Sequence, residues 1–261
     1  MQQAHDFLTE CEELDSMISS LQSDDFENVT QFKNWTVNDI LVHLHFWDAG
    51  ADLSLNEPDE FTIMFDQLYA ALKAGKLRGH ENKKVKVRGS ELASVWREKY
   101  RDMAKRWSKI DPKHRVKWAG PDMSARTSIS ARQMEYWAHG QAIFDLFGKD
   151  RNESDRIRNV VVLGVNAFGW SHKVHGFDIP TTMPKLTLSA PSGDQWIYGE
   201  DGENLIDGSA VEFCQVVTQT RNILDTQLVV KGAVAEKWMA YAQCFAGRPE
   251  IPPAPGTRFK Q

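Results

Sequence analysis

A helical bundle followed by a small α+β domain is the fold this sequence predicts. Its class is α plus α+β, with an antiparallel bundle over residues 1–150 and a mixed domain with a proline-rich tail over 151–261. Three observations predict it. Apolar side chains recur at three-and-four spacing through the first half. The charged stretch GKDRNESD then interrupts the pattern. Beyond it, short strand-like runs are separated by Pro-Ser-Gly and Asp-Gly turn signals.

The elements follow in order. AHDFLTECEELDSMISSLQ sets Phe7, Leu8, Cys11, Leu14, Met17, Ile18 and Leu21 on one helical face. NWTVNDILVHLHFWDAGADLSL starts a second helix, with Thr36 as N-cap and Asp39 three residues on. Pro58 suits the start of a third helix, which Gly75 closes. GSELASVWREKYRDMAKRWSKI reads as a fourth, capped by Ser90 and stopped before Pro112, and ARQMEYWAHGQAIFDLFG as a fifth ending at Gly148. The connections are polar and mostly short, which suits a bundle. In the second half, RIRNVVVLGVNAFGWSHKVHG reads as one helix, followed by strands in PKLTLSAPSG, DQWIYGEDG and NLIDG. A helix in SAVEFCQVVTQTRN, a strand in TQLVVKG and a closing helix in AVAEKWMAYAQCFAG complete the domain. The tail RPEIPPAPGTRFKQ reads as extended over the surface.

Composition narrows the classes of function. The 261 residues are 41% hydrophobic and 26% charged, with a net charge of -5, so neither nucleic acid nor an anionic membrane is the expected partner. Cys11, Cys214 and Cys244 are odd in number and far apart, as reduced thiols of a cytoplasmic protein would be. The polar, acidic N-terminus is unlike a signal peptide, and no apolar stretch has the length of a bilayer span. The expected partner is a small-molecule substrate, and a homodimer is compatible with the sequence. Nucleotide-binding glycine motifs and the G-x-S-x-G elbow are absent, so nucleotide-cofactor and serine-hydrolase chemistry have no support.

Glu135 and His139 stand four residues apart, which puts them on one helical face a turn apart. A carboxylate and an imidazole so placed suit one divalent metal. The same spacing on a solvated helix is a minor polar pair, but here Met134, Trp137, Ala138, Ile143, Phe144 and Leu146 surround it. A carboxylate buried among them needs a cation or strong hydrogen bonds. His43, between Ile40 and Trp47, is the inward candidate for a third ligand, while His45 is expected at the bundle's edge. The competing role for His43 is a core histidine bonded to a backbone carbonyl. Asp39, one turn earlier, either accepts the other N–H of His43 or serves the first helical turn. Trp47, Trp137, Tyr136 and Phe46 either line a pocket over the metal or, more often for such spacing, belong to the core. KKVKVR, residues 83–88, reads as a solvated loop, with a docking patch for phosphate or a CoA-type tail as the competing reading, and His172 and His175, without a carboxylate neighbour, read as interdomain hydrogen-bonding residues ahead of a second metal pair.

NWTVNDILVHL, followed about ninety residues later by EYWAHGQAIFDLFG, resembles the DinB-like superfamily, and more specifically the mycothiol-dependent maleylpyruvate isomerase group. The resemblance implies metal ligands at His43, Glu135 and His139. LSAPSGDQWIYG, IDGSAVEFCQVVTQTRN and LVVKGAVAEKWMAYAQCFAG are similar to the sterol-carrier-like C-terminal domain attached to many such proteins. There, the resemblance implies that Arg221 helps to hold an anionic substrate or thiol, against the alternative of a surface arginine paired with Asp225. The lead into the second helix departs from the family, showing TQFKNW in place of a PCPGW-type segment.

Three ligands leave a position open, as catalytic rather than structural zinc sites do. Zinc is the expected ion among divalent metals, and an open one activates a thiol or water or polarises a carbonyl. The resemblance implies a low-molecular-weight thiol as cosubstrate. The expected activity is that of a metal-dependent isomerase or transferase acting on a small acidic or acyl electrophile. The alternatives are thiol-independent hydratase, hydrolase or lyase chemistry on an acyl substrate, and non-catalytic binding of a metal and a small ligand.

Overall fold

The computed structural model describes residues 1–118 and 121–261, which divide into two compact units, Met1–Leu146 and Phe147–Gln261. The first is built from α1 (Gln2–Ile18), α2 (Val37–Asn56), α3 (Pro58–Lys73), α4 (Leu77–Lys84), α5 (Gly89–Trp107), a two-residue hairpin of β1 (Arg115–Val116) and β2 (Met123–Ser124), and α6 (Ala125–Leu146). α1 and α2 each pack on both α5 and α6, closing a four-sided arrangement, while α3 and α4 lie on α2. Helix starts follow local chemistry. Thr36 accepts from the Asp39 N–H at 3.1 Å, and the Asp39 carboxylate accepts from the Thr36 N–H at 3.1 Å, a capping box. Pro58 opens α3, and Gly75, at φ 65°, follows its end.

α2 lies at the centre. Most of its 20 residues are buried because neighbours cover it on several sides, so it has no clear polar face. Several of its interior polar groups are paired. The guanidinium of Arg132, 2% exposed, donates to Asp48 at 3.0 and 3.1 Å and to the Leu44 carbonyl at 3.1 Å. The Tyr136 hydroxyl donates to the other Asp48 oxygen and accepts from the Trp96 indole N–H at 2.7 Å. Asp52 is held by Lys99 at 2.7 Å, by Arg106 and by the Trp107 N–H at 3.2 Å. The large side chains between these pairs, Phe7, Trp96, Tyr100, Trp107, Tyr136 and Trp137, are fully buried.

Several boundaries differ from the sequence reading. α4 and the β1–β2 hairpin had no counterpart there, and α6 begins at Ala125. The N-cap of α5 is Arg88, with Ser90 inside the first turn. The Asn38 side chain accepts from the Gly89 N–H at 2.8 Å, so α2 supplies the acceptor that a local serine was expected to supply.

The second unit contains α7 (Arg158–Asn166), α8 (Phe168–Val174), β3 (Lys185–Ser189), β4 (Gln195–Tyr198), β5 (Leu205–Ser209), α9 (Ala210–Val217), β6 (Val229–Lys231) and α10 (Ala233–Tyr241). The single helix expected over residues 156–176 is two, α7 and α8, meeting at Ala167. Its strands form a four-stranded sheet in the order β4-β3-β5-β6, with β3 and β5 parallel and the other pairs antiparallel. Leu186, Leu188 and Ile206 point into a core shared with Val160, Phe213 and Trp238. At Gly164 a Cβ would stand 2.9 Å from both Phe213 and Val217, so glycine there permits the close approach of α7 to α9. The tail lies on this unit, tied by Gln219 to the Glu250 carbonyl, Asn222 to the Pro253 carbonyl and Arg258 to the Gln219 carbonyl. All three cysteines are free thiols, and among the described residues no helix is long and apolar enough to cross a membrane.

Removing one member of a buried ion pair leaves its partner charged and desolvated. Arg132→Met is expected to lower the unfolding free energy by about 3–5 kcal/mol, measured by urea denaturation. Adding Asp48→Leu is expected to restore part of that loss.

Candidate metal centre

His43 sits two turns into α2, on the side that meets α6, and is 7% exposed. Glu135 and His139 lie one turn apart on α6. Their side chains converge. Nε2 of His139 is 3.0 Å from Glu135 Oε2, and Nε2 of His43 is 3.4 Å from the same oxygen. The two imidazole centroids are 4.7 Å apart. Each of the three residues offers one ligand atom, and these atoms all fall within 4.8 Å of one another.

Behind His43 stands a residue the sequence reading did not identify. Glu81 of α4 is fully buried, and its Oε1 lies 2.9 Å from His43 Nδ1 and accepts from the Trp47 indole N–H, also at 2.9 Å. A carboxylate at this position fixes the ring's orientation and keeps the Nδ1 proton in place, leaving Nε2 to face Glu135. Asp39 does not perform this task. It closes the capping box and accepts from Asn82 at 2.8 Å and Arg78 at 3.4 Å. His45 is less buried than His43, as expected of an edge position.

Aromatic rings enclose the imidazoles. The Trp35 ring lies parallel to His139, with an interplanar angle of 2° and centroids 5.7 Å apart, and Phe32 meets the same ring edge-on at 4.9 Å. Trp35 also meets His43 at 5.3 Å, and Trp47 flanks His43 at 6.3 Å. Of the four aromatics considered from sequence, Trp47 is at the site. Phe46 packs on Trp47, and Tyr136 and Trp137 are core residues.

The electrostatics follow from burial and pairing. Burial disfavours the His43 imidazolium, but Glu81 and Glu135 outweigh it and raise the imidazole to about 9. Burial also opposes the Glu135 carboxylate, yet hydrogen bonds from His139 and His43 hold it well below the usual range. His139 is pushed down, by burial first and by its cationic neighbour His43 next. Two imidazoles and an ionised carboxylate are a donor set suited to a divalent metal, and three ligands leave room for another. His43, Glu135 and His139 would hold such an ion, which would compete with the proton on His43 Nε2.

Arg221 belongs to the second unit, in the turn after α9, and donates to the Thr220 carbonyl at 2.9 Å. His172 Nδ1 bonds the Phe168 carbonyl at 2.8 Å, and His175 packs on Phe177 and Tyr241. Lys83 and Lys84 of the basic run end α4, while Arg88 turns back to the Val85 and Val87 carbonyls, each at 2.7 Å.

Comparison with known proteins places the chain in a family. Residues 7–144 match the model of the mycothiol maleylpyruvate isomerase N-terminal domain, a stretch that contains His43, Glu81, Glu135 and His139. The chain belongs to this family. Two proteins of Mycobacterium tuberculosis, from strains CDC 1551 and H37Rv and both described as uncharacterized, are 30% identical over 245 residues, 94% of this chain and 95% of theirs. The crystal structure of the mycothiol-dependent maleylpyruvate isomerase shares the fold, with a TM-score of 0.53, 13% identity, and coverage of 82% of this chain and 87% of that one. A histidine-to-alanine mutant of that enzyme matches at the same TM-score and coverage, with 12% identity. The family domain thus ends just beyond His139, and Arg221 lies outside it.

Protonated His43 contributes stability that is fully present below its ordinary value of 6.5 and is lost as pH rises through about 9. Chelator-treated protein is therefore expected to show a falling Tm across that window. In His43→Gln that fall should be flatter, as measured by differential scanning calorimetry at several pH values.

Proposed function

We propose that the chain is a metal-dependent enzyme of the maleylpyruvate isomerase-like type. In this reading His43, Glu135 and His139 hold a divalent ion, zinc by default. The reaction is a thiol-dependent isomerisation or transfer on a small acidic or acyl electrophile. The observation that carries the reading is the convergence of three side chains from α2 and α6, 92 residues apart in sequence, with a buried carboxylate fixing one of them from behind.

When bound, such an ion lowers the pKa of a coordinated thiol or water and polarises a carbonyl. The chain's own residues supply the rest. Glu81 retains the Nδ1 proton of His43, so that ring presents Nε2 and does not flip. Phe32 and Trp35 cover His139 and limit the access of water to it. Glu135, whose side chain keeps about a quarter of its surface exposed, marks the side from which a ligand enters. Arg221 is assigned to an anionic group of the substrate or thiol. A mycothiol-type cosubstrate is the choice supported by membership of the mycothiol maleylpyruvate isomerase family and by the mycothiol-dependent isomerase that shares the fold.

Metal analysis of the purified protein tests the site. About one zinc per chain is expected, with stoichiometric binding lost in His43→Ala. In Glu81→Gln, affinity is expected to fall by roughly 10–100-fold, as read by competition with a chromogenic chelator. Retention of helical circular dichroism after chelation would separate an open catalytic ion from a structural one. Turnover assays with and without mycothiol- or glutathione-type thiols then separate thiol-dependent from water-dependent chemistry. Turnover that does not depend on thiol would overturn the first reading.

A further inference from the structure

The walls of the site carry information about what enters it. A side chain that touches the ligand cluster and still keeps part of its surface in solvent stands at the entrance. Phe32, Trp35 and Trp47 meet that description, since each packs on His43 or His139 and each is only half-buried. Trp118, also half-buried, extends this surface, with its centroid 5.6 Å from Trp47 and its plane tilted by 51°. Trp118 is held in turn by stacking on Phe61, which is fully buried.

These rings are held to different degrees. Trp35 and Phe32 are committed to the His139 ring. Trp47 is anchored at its N–H by Glu81 and Trp118 at one face by Phe61, so both rings are held in place while each keeps part of its surface in solvent. Among the described residues, the charged groups bonded to the imidazoles are the carboxylates Glu81 and Glu135, and Arg132 also acts on Glu135 and His139 through its charge. The nearby guanidinium groups already have partners, and the exposed Lys33 ammonium sits over the Phe32 ring at 5.6 Å. Arg132 is fully enclosed with Asp48 and the Leu44 carbonyl, and Arg78 bonds Asp39 and the Asn34 carbonyl. An entrance with rigid indole faces and engaged guanidinium groups favours flat apolar surface over a second carboxylate.

We propose that this entrance selects a substrate with a planar apolar portion, an aryl or conjugated acyl group, beside its metal-seeking head. Trp47 and Trp118 are the specificity-determining residues. The inference rests on the metal-site reading above and extends it to the substrate class.

Hydroxamates test it without requiring the reaction to be known, because they place one metal-binding group beside a chosen substituent. Zinc binding is measured first by calorimetry. The zinc-loaded protein is then titrated with acetohydroxamate, benzohydroxamate and the monohydroxamate of succinate. Benzohydroxamate is expected to bind about tenfold more tightly than acetohydroxamate, which is about 1.4 kcal/mol. In Trp47→Ala and, separately, in Trp118→Leu, that ratio is expected to fall to about threefold or less. Trp118→Leu leaves the Trp47–Glu81 hydrogen bond untouched, so a reduced ratio there is not a consequence of disturbing His43. A wild-type ratio near one, a ratio unchanged in both variants, or tightest binding of the succinate derivative would overturn the proposal while leaving the metal site standing. Failure of zinc itself to bind would remove both.

Discussion

One carboxylate gripped from two helices organises the first unit. Glu135 is drawn between His139 on its own helix and His43 on α2, and this contact gives the polar interior of the α2–α6 seam its purpose. Even a partly buried carboxylate is unfavourable unless a cation or several donors offset its desolvation. The two imidazoles meet that need, and the same arrangement makes three ligand atoms available to a metal. The geometry that stabilises the side chains without an ion is therefore close to the geometry that would bind one.

The seam has to be in register for this to happen, and a second buried pair sets it. Asp48 lies five residues after His43 on α2, and Arg132 lies three before Glu135 on α6. The ion pair between Asp48 and Arg132 therefore clamps the two helices about one turn from the His43–Glu135 contact. Tyr136 adds a donor to Asp48, and Trp96 extends the chain of bonds to α5. Buried pairs of this kind contribute little net stability compared with apolar packing. Their value here is positional, because a one-residue slip of α6 would part His43 from Glu135 and Asp48 from Arg132 together.

The sequence revealed those parts of the fold whose signals are local. Thr36, Asp39, Pro58 and Gly75 announce helix ends by their own chemistry, and the structure uses each as expected. The Glu135–His139 pair was visible because four residues span one helical turn. Elements that bury polar residues were less visible. α4 reads LRGHENKK, with no apolar face, and its buried side chain is the charged Glu81. Apolar periodicity cannot find a helix that is held in place by one carboxylate. The early turns of α6 escaped for the same reason, since Ser128, Ser130 and Arg132 occupy interior positions there. Asp39 was a reasonable partner for His43 on spacing alone, but its commitment to Thr36 keeps it at the helix start, and Glu81 reaches the imidazole from another helix.

The strap before α2 shows what the site asks of the backbone. Lys33 and Asn34 both adopt positive φ, 49° and 55°, although neither is glycine. Each such residue costs on the order of 1 kcal/mol or more, and persists where surrounding contacts over-determine it. Here Thr30 supplies those contacts. Its N–H and hydroxyl both donate to the Trp35 carbonyl, at 2.8 and 2.9 Å, and its hydroxyl accepts from the Phe32 N–H at 3.2 Å. Arg78 also donates to the Asn34 carbonyl. The result of the kink is that Phe32 and Trp35, three residues apart, both face the same histidine, one edge-on and one parallel. Lys33 and Asn34 are themselves exposed, so burying them is not what the strain achieves. The ring placement around His139 is what it achieves, which ties the backbone conformation of this segment to the candidate metal centre.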